Sequence, residues 1–267
     1  IQQIKSGAFA GCSSLTIIEL PDSVTSIGDG AFAECSFLTI IELPDGVTSI
    51  GEYAFLGCSA LTIIELPDSV TSMGVNPFAA CGSLKNIRVS PEQPVFAVID
   101  GVLFNKAEKS LICYPAGKQE EAYEVPQGIQ QIKSGAFFCC SSLTSIELPD
   151  SMTSIGEYAF SVCSFLTSIE LPDSVTSIGD QAFSWCSALT TIKLPDSVTS
   201  IGDQAFAWCR ALTSIELPDS VTSIGNRAFE YCDNLTITVQ RDSYAAQYAK
   251  DNNLNYTYPD ANDWLNN

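Results

Sequence analysis

Thiols are the first candidates for chemistry in this chain, because eleven cysteines occur with no histidine. Nine of them, Cys12, Cys35, Cys58, Cys81, Cys140, Cys163, Cys186, Cys209 and Cys232, recur at intervals of 23 residues within two runs. A zinc site needs close pairs such as C-x-x-C, and none is present. Disulfides between successive units are not excluded by distance, since stacked strands lie about 4.8 Å apart. A regular row of buried thiols nevertheless behaves as a row of small apolar groups, and free thiols are the expectation. Cys113 falls outside the row and Cys139 stands beside Cys140, so these two are expected to be the reactive ones. Without histidine, a histidine-based triad or zinc centre is unavailable. Carboxylates abound, but they return in every unit, whereas a catalytic pair is singular and differs from its surroundings. The expectation is therefore no catalytic residue, no metal ligand set and no cofactor.

These thiols need a scaffold with their own period. The interval from Cys81 to Cys140 exceeds two periods by 13 residues, so one repeat is expanded. "LPDSVTSIGDQAFSWC" from Leu171 and "LPDSVTSIGDQAFAWC" from Leu194 differ at a single position, Ser184 against Ala207. "IQQI" at 1–4 returns at 129–132, which points to duplication of a larger block. In "LTSIEL", Ile169 and Leu171 alternate with Ser168 and Glu170, the period of a strand with one buried face. Pro172 has no N–H to donate and ends it. "VTSI" supplies a second apolar pair. Asp180, like Ser6, Asp29, Asp203 and Asn226 in its column, is read as the cap of a short helical turn, "QAFSWC". One such unit buries too little to offset its conformational entropy, so the stable object is the stack. Near-identity follows, because each inward side chain meets its own copy in the neighbouring coil.

Leu143, Ile146, Leu148, Pro149, Ile155, Gly156, Ala159, Phe160 and Cys163 carry the pattern L-x-x-I-x-L-P followed by V-x-x-I-G-x-x-A-F-x-x-C, with Met152 at the valine position in this unit. It resembles the BspA-like, or treponemal-type, leucine-rich repeats. The resemblance implies a right-handed solenoid with short parallel strands on its concave face and short strands and helical turns elsewhere. "DGVLFNKAEKSLICYPAGK" at 100–118 resembles that family's hairpin insertion, and 242–258 resembles its terminal cap. The organisation expected is a solenoid over 1–239 with an insertion at about 90–122, then a cap and tail over 240–267. Val75-Asn76-Pro77 breaks the repeat pattern and "LTITV" is one residue short, so irregular coils are expected there. The family implies a bacterial cell-surface or secreted protein similar to adhesins, with no enzymatic activity and no universal binding residue.

Candidate binding residues must come from the columns that face outward. One is Glu19, Glu42, Glu65, Arg88, Glu124, Glu147, Glu170, Lys193 and Glu216. It reads either as a solvated face or as an acidic surface for a basic partner or weakly held calcium. Beside it run Ile17, Ile40 and Ile63, then Asn86, but Ser145, Ser168, Thr191 and Ser214 in the second block. If exposed, the isoleucines form an apolar strip. The position before each cysteine holds Gly11, Glu34, Gly57, Ala80, Cys139, Val162, Trp185, Trp208 and Tyr231. No buried site tolerates that variety, so it is expected at the outside or rim, with Trp185, Trp208 and Tyr231 as an aromatic platform for a protein or a sugar.

The insertion is locally basic, with Lys85, Arg88, Lys106, Lys109 and Lys118, and is read as a strand meander turning at Asp100-Gly101 and near 106–109, expected to project as a flap for recognition, with cover of a coil edge as the alternative. Residues 242–252, with Tyr244 and Tyr248 four apart, are read as a helix covering the last coil. Ile1 begins inside a repeat, there is neither an initiator Met nor a signal peptide, and the chain is expected to be a piece of something longer. Net charge is −19, from 31 acidic and 12 basic residues, which disfavours nucleic acid and anionic membrane surfaces. No apolar run reaches the roughly 18 residues of a membrane span. The functional expectation is a protein-binding or adhesion module, against a structural spacer or a glycan-binding module.

Overall fold

A computed structural model describes residues 1–259. Of the cap and tail expected over 240–267, residues 260–267 lie outside the described residues. Two compact units emerge, residues 1–119 with 131–142, and 120–130 with 143–259. Each is a parallel-strand solenoid.

In the first unit, Ile17–Ile18 pairs with Ile40–Ile41, and Ile63–Leu66 with Asn86–Val89, all parallel. The partners are 23 residues apart, as in Ile17 opposite Ile40. A second sheet stacks Gln3–Ile4, Ser26–Ile27, Ser49–Ile50 and Ser72–Met73. The second unit repeats the plan. Ala122–Glu124, Ser145–Glu147, Ser168–Glu170 and Thr191–Lys193 form one sheet, Ser214–Leu217 and Thr236–Val239 another, and Ser154–Ile155 through Ser223–Ile224 a further face. Despite the missing residue in "LTITV", Thr236–Val239 is a regular strand; the deletion is absorbed before Ile237, which still faces Ile215. Val75-Asn76-Pro77 is irregular as expected: buried Asn76 donates to the Gly135 carbonyl at 2.6 Å and accepts from the Phe78 N–H.

Side chains as well as backbone bond coil to coil. Cys186, Cys209 and Cys232 donate their thiol hydrogens to the carbonyls of Phe160, Phe183 and Phe206, each at 3.1 Å. Cys35, Cys58 and Cys81 do the same to Phe9, Phe32 and Phe55. Thr167 and Thr190 hydroxyls donate to the threonine carbonyl one coil back, both at 3.0 Å. Ser197 and Ser220 donate to Val175 and Val198. Phenylalanine rings stack at 5.1, 5.4 and 5.7 Å from Phe9 to Phe78, and at 5.2, 5.4 and 5.5 Å from Phe160 to Phe229. The ring stacks pair like with like across neighbouring coils, while the thiol and hydroxyl bonds need only a donor at a fixed place and a backbone carbonyl one coil back; Thr25 and Thr144, for instance, donate to Gln2 and Glu121.

The segment read as a helical turn is a run of successive turns. Gln181, Phe183 and Trp185 send their N–H groups to the next coil, while Ala182, Ser184 and Cys186 bond three residues back. The alternation is made by left-handed residues, Gln181 at φ 53° and Trp185 at φ 64°, with Tyr158, Val162, Gln204, Trp208, Arg227 and Tyr231 at matching places. Asp180 does not cap its own turn. Its carboxylate accepts from the Asp203 N–H of the next coil at 2.8 Å, and Asp203 does the same for Asn226 at 2.7 Å.

The insertion is a meander of Phe96–Ile99, Val102–Asn105 and Ser110–Cys113 that turns where expected, with Asp100, Gly101 and Lys109 in left-handed conformation. It does not project as a flap. Val102, Leu103, Phe104, Leu111 and Cys113 are buried, and Ser110–Cys113 pairs parallel with Gln131–Ile132. The third strand thus stands in for a repeat strand. Tyr114 stacks on Phe137 at 5.2 Å in the phenylalanine column, which puts Cys113 at the alanine position. That overturns its expected reactivity: it is fully buried, and desolvation pushes its thiol from near 9 up to about 12. The exposed thiol is Cys12, at the head of its row.

The cap helix is Tyr244–Asp251, started by Ser243, whose hydroxyl accepts from the Ala246 N–H at 3.0 Å. Ala245, Ala246 and Ala249 are buried. Of the two tyrosines only Tyr248 closes the core, edge-on to Phe229 and donating to the Gly225 carbonyl at 3.1 Å; Tyr244 is exposed. Asn255–Thr257, unforeseen in the sequence, then pairs with Thr236–Val239 and covers that strand's edge.

Candidate functional site

Side chains turned away from the ladders make three surfaces. On the first sheet of the first unit, Ile17 is 60 % and Ile40 52 % exposed, while Ile63 is half-buried. Ile18, Ile41 and Ile64 alternate inward, so the pleat throws their neighbours out. Ile17 and Ile40 floor a groove of about 470 Å³ with Leu20 and Leu43, bordered by Glu19, Asp22, Glu42 and Asp45.

In the second unit the equivalent sheet face is polar. Glu147, Glu170 and Glu216 are exposed, as are Ser168, Thr191 and Ser214. Glu124 lies directly opposite Glu147. Lys193 faces Glu170, and their charges meet at 3.3 Å in open solvent, a pair of small energetic weight. Glu170, Lys193 and Glu216 line a groove of about 1360 Å³ with Ser168, Thr191 and Arg241.

The third surface is the aromatic column. Trp185 and Trp208 stack at 4.3 Å and 8°, Trp208 and Tyr231 at 3.9 Å and 28°. The Arg210 guanidinium lies 4.8 Å from the Trp208 ring centroid. Trp185 and Tyr231 are about half exposed and Trp208 less so. Partial exposure to solvent accounts for the variety of residue types at this position, which the left-handed backbone by itself would narrow. Within the column both faces of Trp208 are covered by its aromatic neighbours, while Trp185 and Tyr231 each have one face in the stack.

Three site features were not foreseen. Phe37 and Phe165, at one repeat position and 128 residues apart like the duplicated "IQQI", are both more than 60 % exposed. A variable position just before an unvarying leucine was their signal. Lys106 and Lys118, read as part of a basic patch, are committed to the carbonyls of Gln93 and Asp100. Lys133 binds Glu108 at 2.9 Å, and that bond holds the Glu108 carboxyl below its ordinary range. Among the described residues no group of three or more His, Cys, Asp or Glu is arranged to hold a metal, and no helix is long and apolar enough to cross a membrane.

Residues 1–107 and 116–236 match the BspA type leucine-rich repeat region, in six copies. The chain belongs to the BspA-type leucine-rich repeat family. A leucine-rich cell surface protein from Faecalibacterium prausnitzii A2-165 is 37 % identical at a TM-score of 0.83, covering 91 % of this chain and 64 % of that one. The chain therefore spans less than two thirds of that relative. The pneumococcal vaccine antigen PcpA is 27 % identical at a TM-score of 0.84, covering 97 % of this chain and 71 % of that one. A leucine-rich repeat protein from Eubacterium ventriosum ATCC 27560, 23 % identical at a TM-score of 0.53 over 86 % of this chain and 80 % of that one, shares the fold. No curated protein matches.

Proposed function

We propose that this chain is the protein-binding part of a bacterial surface or secreted protein, and that its task is adhesion to a host or bacterial surface protein. One observation carries the reading. The inward positions are kept nearly letter for letter, while the outward columns change by block: Ile17, Ile40 and Ile63 in one, Ser168, Thr191 and Ser214 in the other, with Trp185, Trp208 and Tyr231 confined to the second. A spacer has no use for distinct outer surfaces. The two relatives described as a cell surface protein and a vaccine antigen support the location. No catalytic step is assigned. The glycan reading needs open ring faces, and stacking at 3.9 and 4.3 Å covers both faces of Trp208 and one face each of Trp185 and Tyr231, which leaves less open ring than three separate aromatics would offer.

The test is saturable binding of the purified chain to host-cell surface protein. Changing Trp185, Trp208 and Tyr231 together to alanine, or Ile17, Ile40 and Ile63 to serine, removes it if either face is used, with thermal unfolding unchanged as the control for folding. No saturable binding to host or bacterial surface protein would leave the spacer.

A further inference from the structure

We infer that the isoleucine-floored groove of the first unit is a docking site for a cationic amphipathic helix. This rests on the reading of the chain as a binding module. The floor is apolar and exposed: Ile17 and Ile40 in one column, with Leu20 and Leu43 beside them. The border carries one sign of charge. Two and five residues along the chain from each isoleucine stand Glu19 and Asp22, then Glu42 and Asp45 in the next coil, and all four line the groove. The next coil continues the columns with Ile63, Glu65 and Asp68.

The rise per coil selects the partner's conformation. The strands under the groove stack about 4.8 Å apart and an α-helix advances about 5.4 Å per turn, so a helix lying across them slips by only about 0.6 Å per coil and presents one apolar residue to each coil of this short floor. Lysine or arginine along one edge of such a helix then meets the glutamate and aspartate columns turn by turn. An acidic helix is repelled by the same four carboxylates. A second copy of this chain is a poor occupant, because a body of net charge −19 meets an acidic border.

The chain contains its own control. The second unit has Ser145, Ser168 and Thr191 opposite one another in the same parallel register, so serine is compatible with the strand at this column. The variant Ile17→Ser, Ile40→Ser, Ile63→Ser therefore removes the floor and keeps the fold.

The experiment titrates the full chain with a fluorescent Leu/Lys peptide of about 18 residues patterned as an amphipathic helix, and separately with its Leu/Glu counterpart. Expected is saturable binding of the Leu/Lys peptide with Kd below about 1 mM, with helical circular dichroism gained on binding. The triple serine variant weakens it by at least about tenfold. Raising salt from about 0.05 to 0.5 M weakens it several-fold, as screening of the carboxylate border requires. The Leu/Glu peptide does not bind. The inference is overturned if the Leu/Lys peptide fails to saturate, if both peptides bind alike, or if the triple variant binds as well as the parent. Failure here alongside continued binding of a surface protein would remove this groove and leave the binding module standing; loss of both would remove the module.

Discussion

Glycine occupies two kinds of position in the coils, one of close approach and one of left-handed backbone that other residues also fill, and they predict substitutions of opposite sign. A Cβ on Gly202 would lie 2.4 Å from the Asp180 carboxylate and 2.5 Å from its backbone nitrogen, in a region of ordinary φ. The residue is there for close approach of coils, so Gly202→Ala should cost about 2 kcal/mol or more. Val162 is a β-branched residue held at φ 62°, where Gly11 and Gly57 stand in other coils. Val162→Gly should be neutral or stabilising by about 1 kcal/mol, because relief of the left-handed strain exceeds the added chain entropy. Thermal or urea unfolding of the two variants decides both. The thiols make a second residue-scale prediction. In the folded chain Cys12 reacts first with a small alkylating agent, half-buried Cys139 slowly, and the row from Cys35 to Cys232 only on unfolding. Burial raises Cys113 to about 12 and Cys232 to about 11 from near 9, and drives Cys186 and Cys209 up as well. Below pH 9 both folded and unfolded states keep these protons and stability is intact. From about 9 up to about 11 for Cys232 and about 12 for Cys113 only the folded state keeps them, so stability falls with rising pH by up to about 1.4 kcal/mol per unit for each of these two thiols, in the same direction for Cys186 and Cys209. Urea midpoints across that range should drop, and less steeply in Cys113→Ala. Much of this was legible in sequence, because a period of 23 names the thiol row outright. Cys113 was misread because the expansion hides the register; counting 23 back from Ala136 and Phe137 lands on Cys113 and Tyr114 and places them correctly. Asp180 was misread because nothing local distinguishes a carboxylate that caps its own turn from one that caps the next coil.

Elements this short have no independent stability, and their ends show where the stack needs help. The strands of the second sheet are two residues long and exist only as rungs. The last coil is closed by the helix Tyr244–Asp251 and the strand Asn255–Thr257. Ser243→Ala removes the N-cap acceptor and should cost about 1 kcal/mol. Tyr248→Phe removes the donor to Gly225 and should cost about as much. Hydrogen exchange should then quicken first at Ser223–Ile224 and Thr236–Val239, before the coils further from the cap; uniform quickening would contradict the capping role. The helix was visible in sequence through its small and aromatic residues, although the alanines, more than Tyr244, make the buried face. The closing strand was not visible, because "NYT" has no pattern apart from the edge it pairs with. The meander's turns were visible in Asp100-Gly101, but the choice between a projecting flap and cover of a coil edge was not. A projecting hairpin and one that replaces a repeat strand share the same alternation, and only the parallel partner Gln131–Ile132 tells them apart.

At the scale of the molecule, the chain separates what holds it together from what it presents. Threonine, serine and cysteine ladders and stacked phenylalanines spend their side chains on neighbouring coils, and the outward columns are left without a structural assignment. The surfaces follow from that division: an isoleucine groove with an acidic border in one unit, a hydroxyl and carboxylate face and an aromatic stack in the other. The direct measurement is a column exchange followed by thermal unfolding. One variant carries Ile17→Ser, Ile40→Ser and Ile63→Ser together with Ser168→Ile, Thr191→Ile and Ser214→Ile; the comparison variant is the single inward change Phe183→Ala. The account predicts that six outward changes move Tm by less than about 5 °C, since strand preferences at these positions are small and opposed. It predicts that the one inward change costs about 3–5 kcal/mol. Unfolding of the six-residue variant, or tolerance of Phe183→Ala, would contradict it.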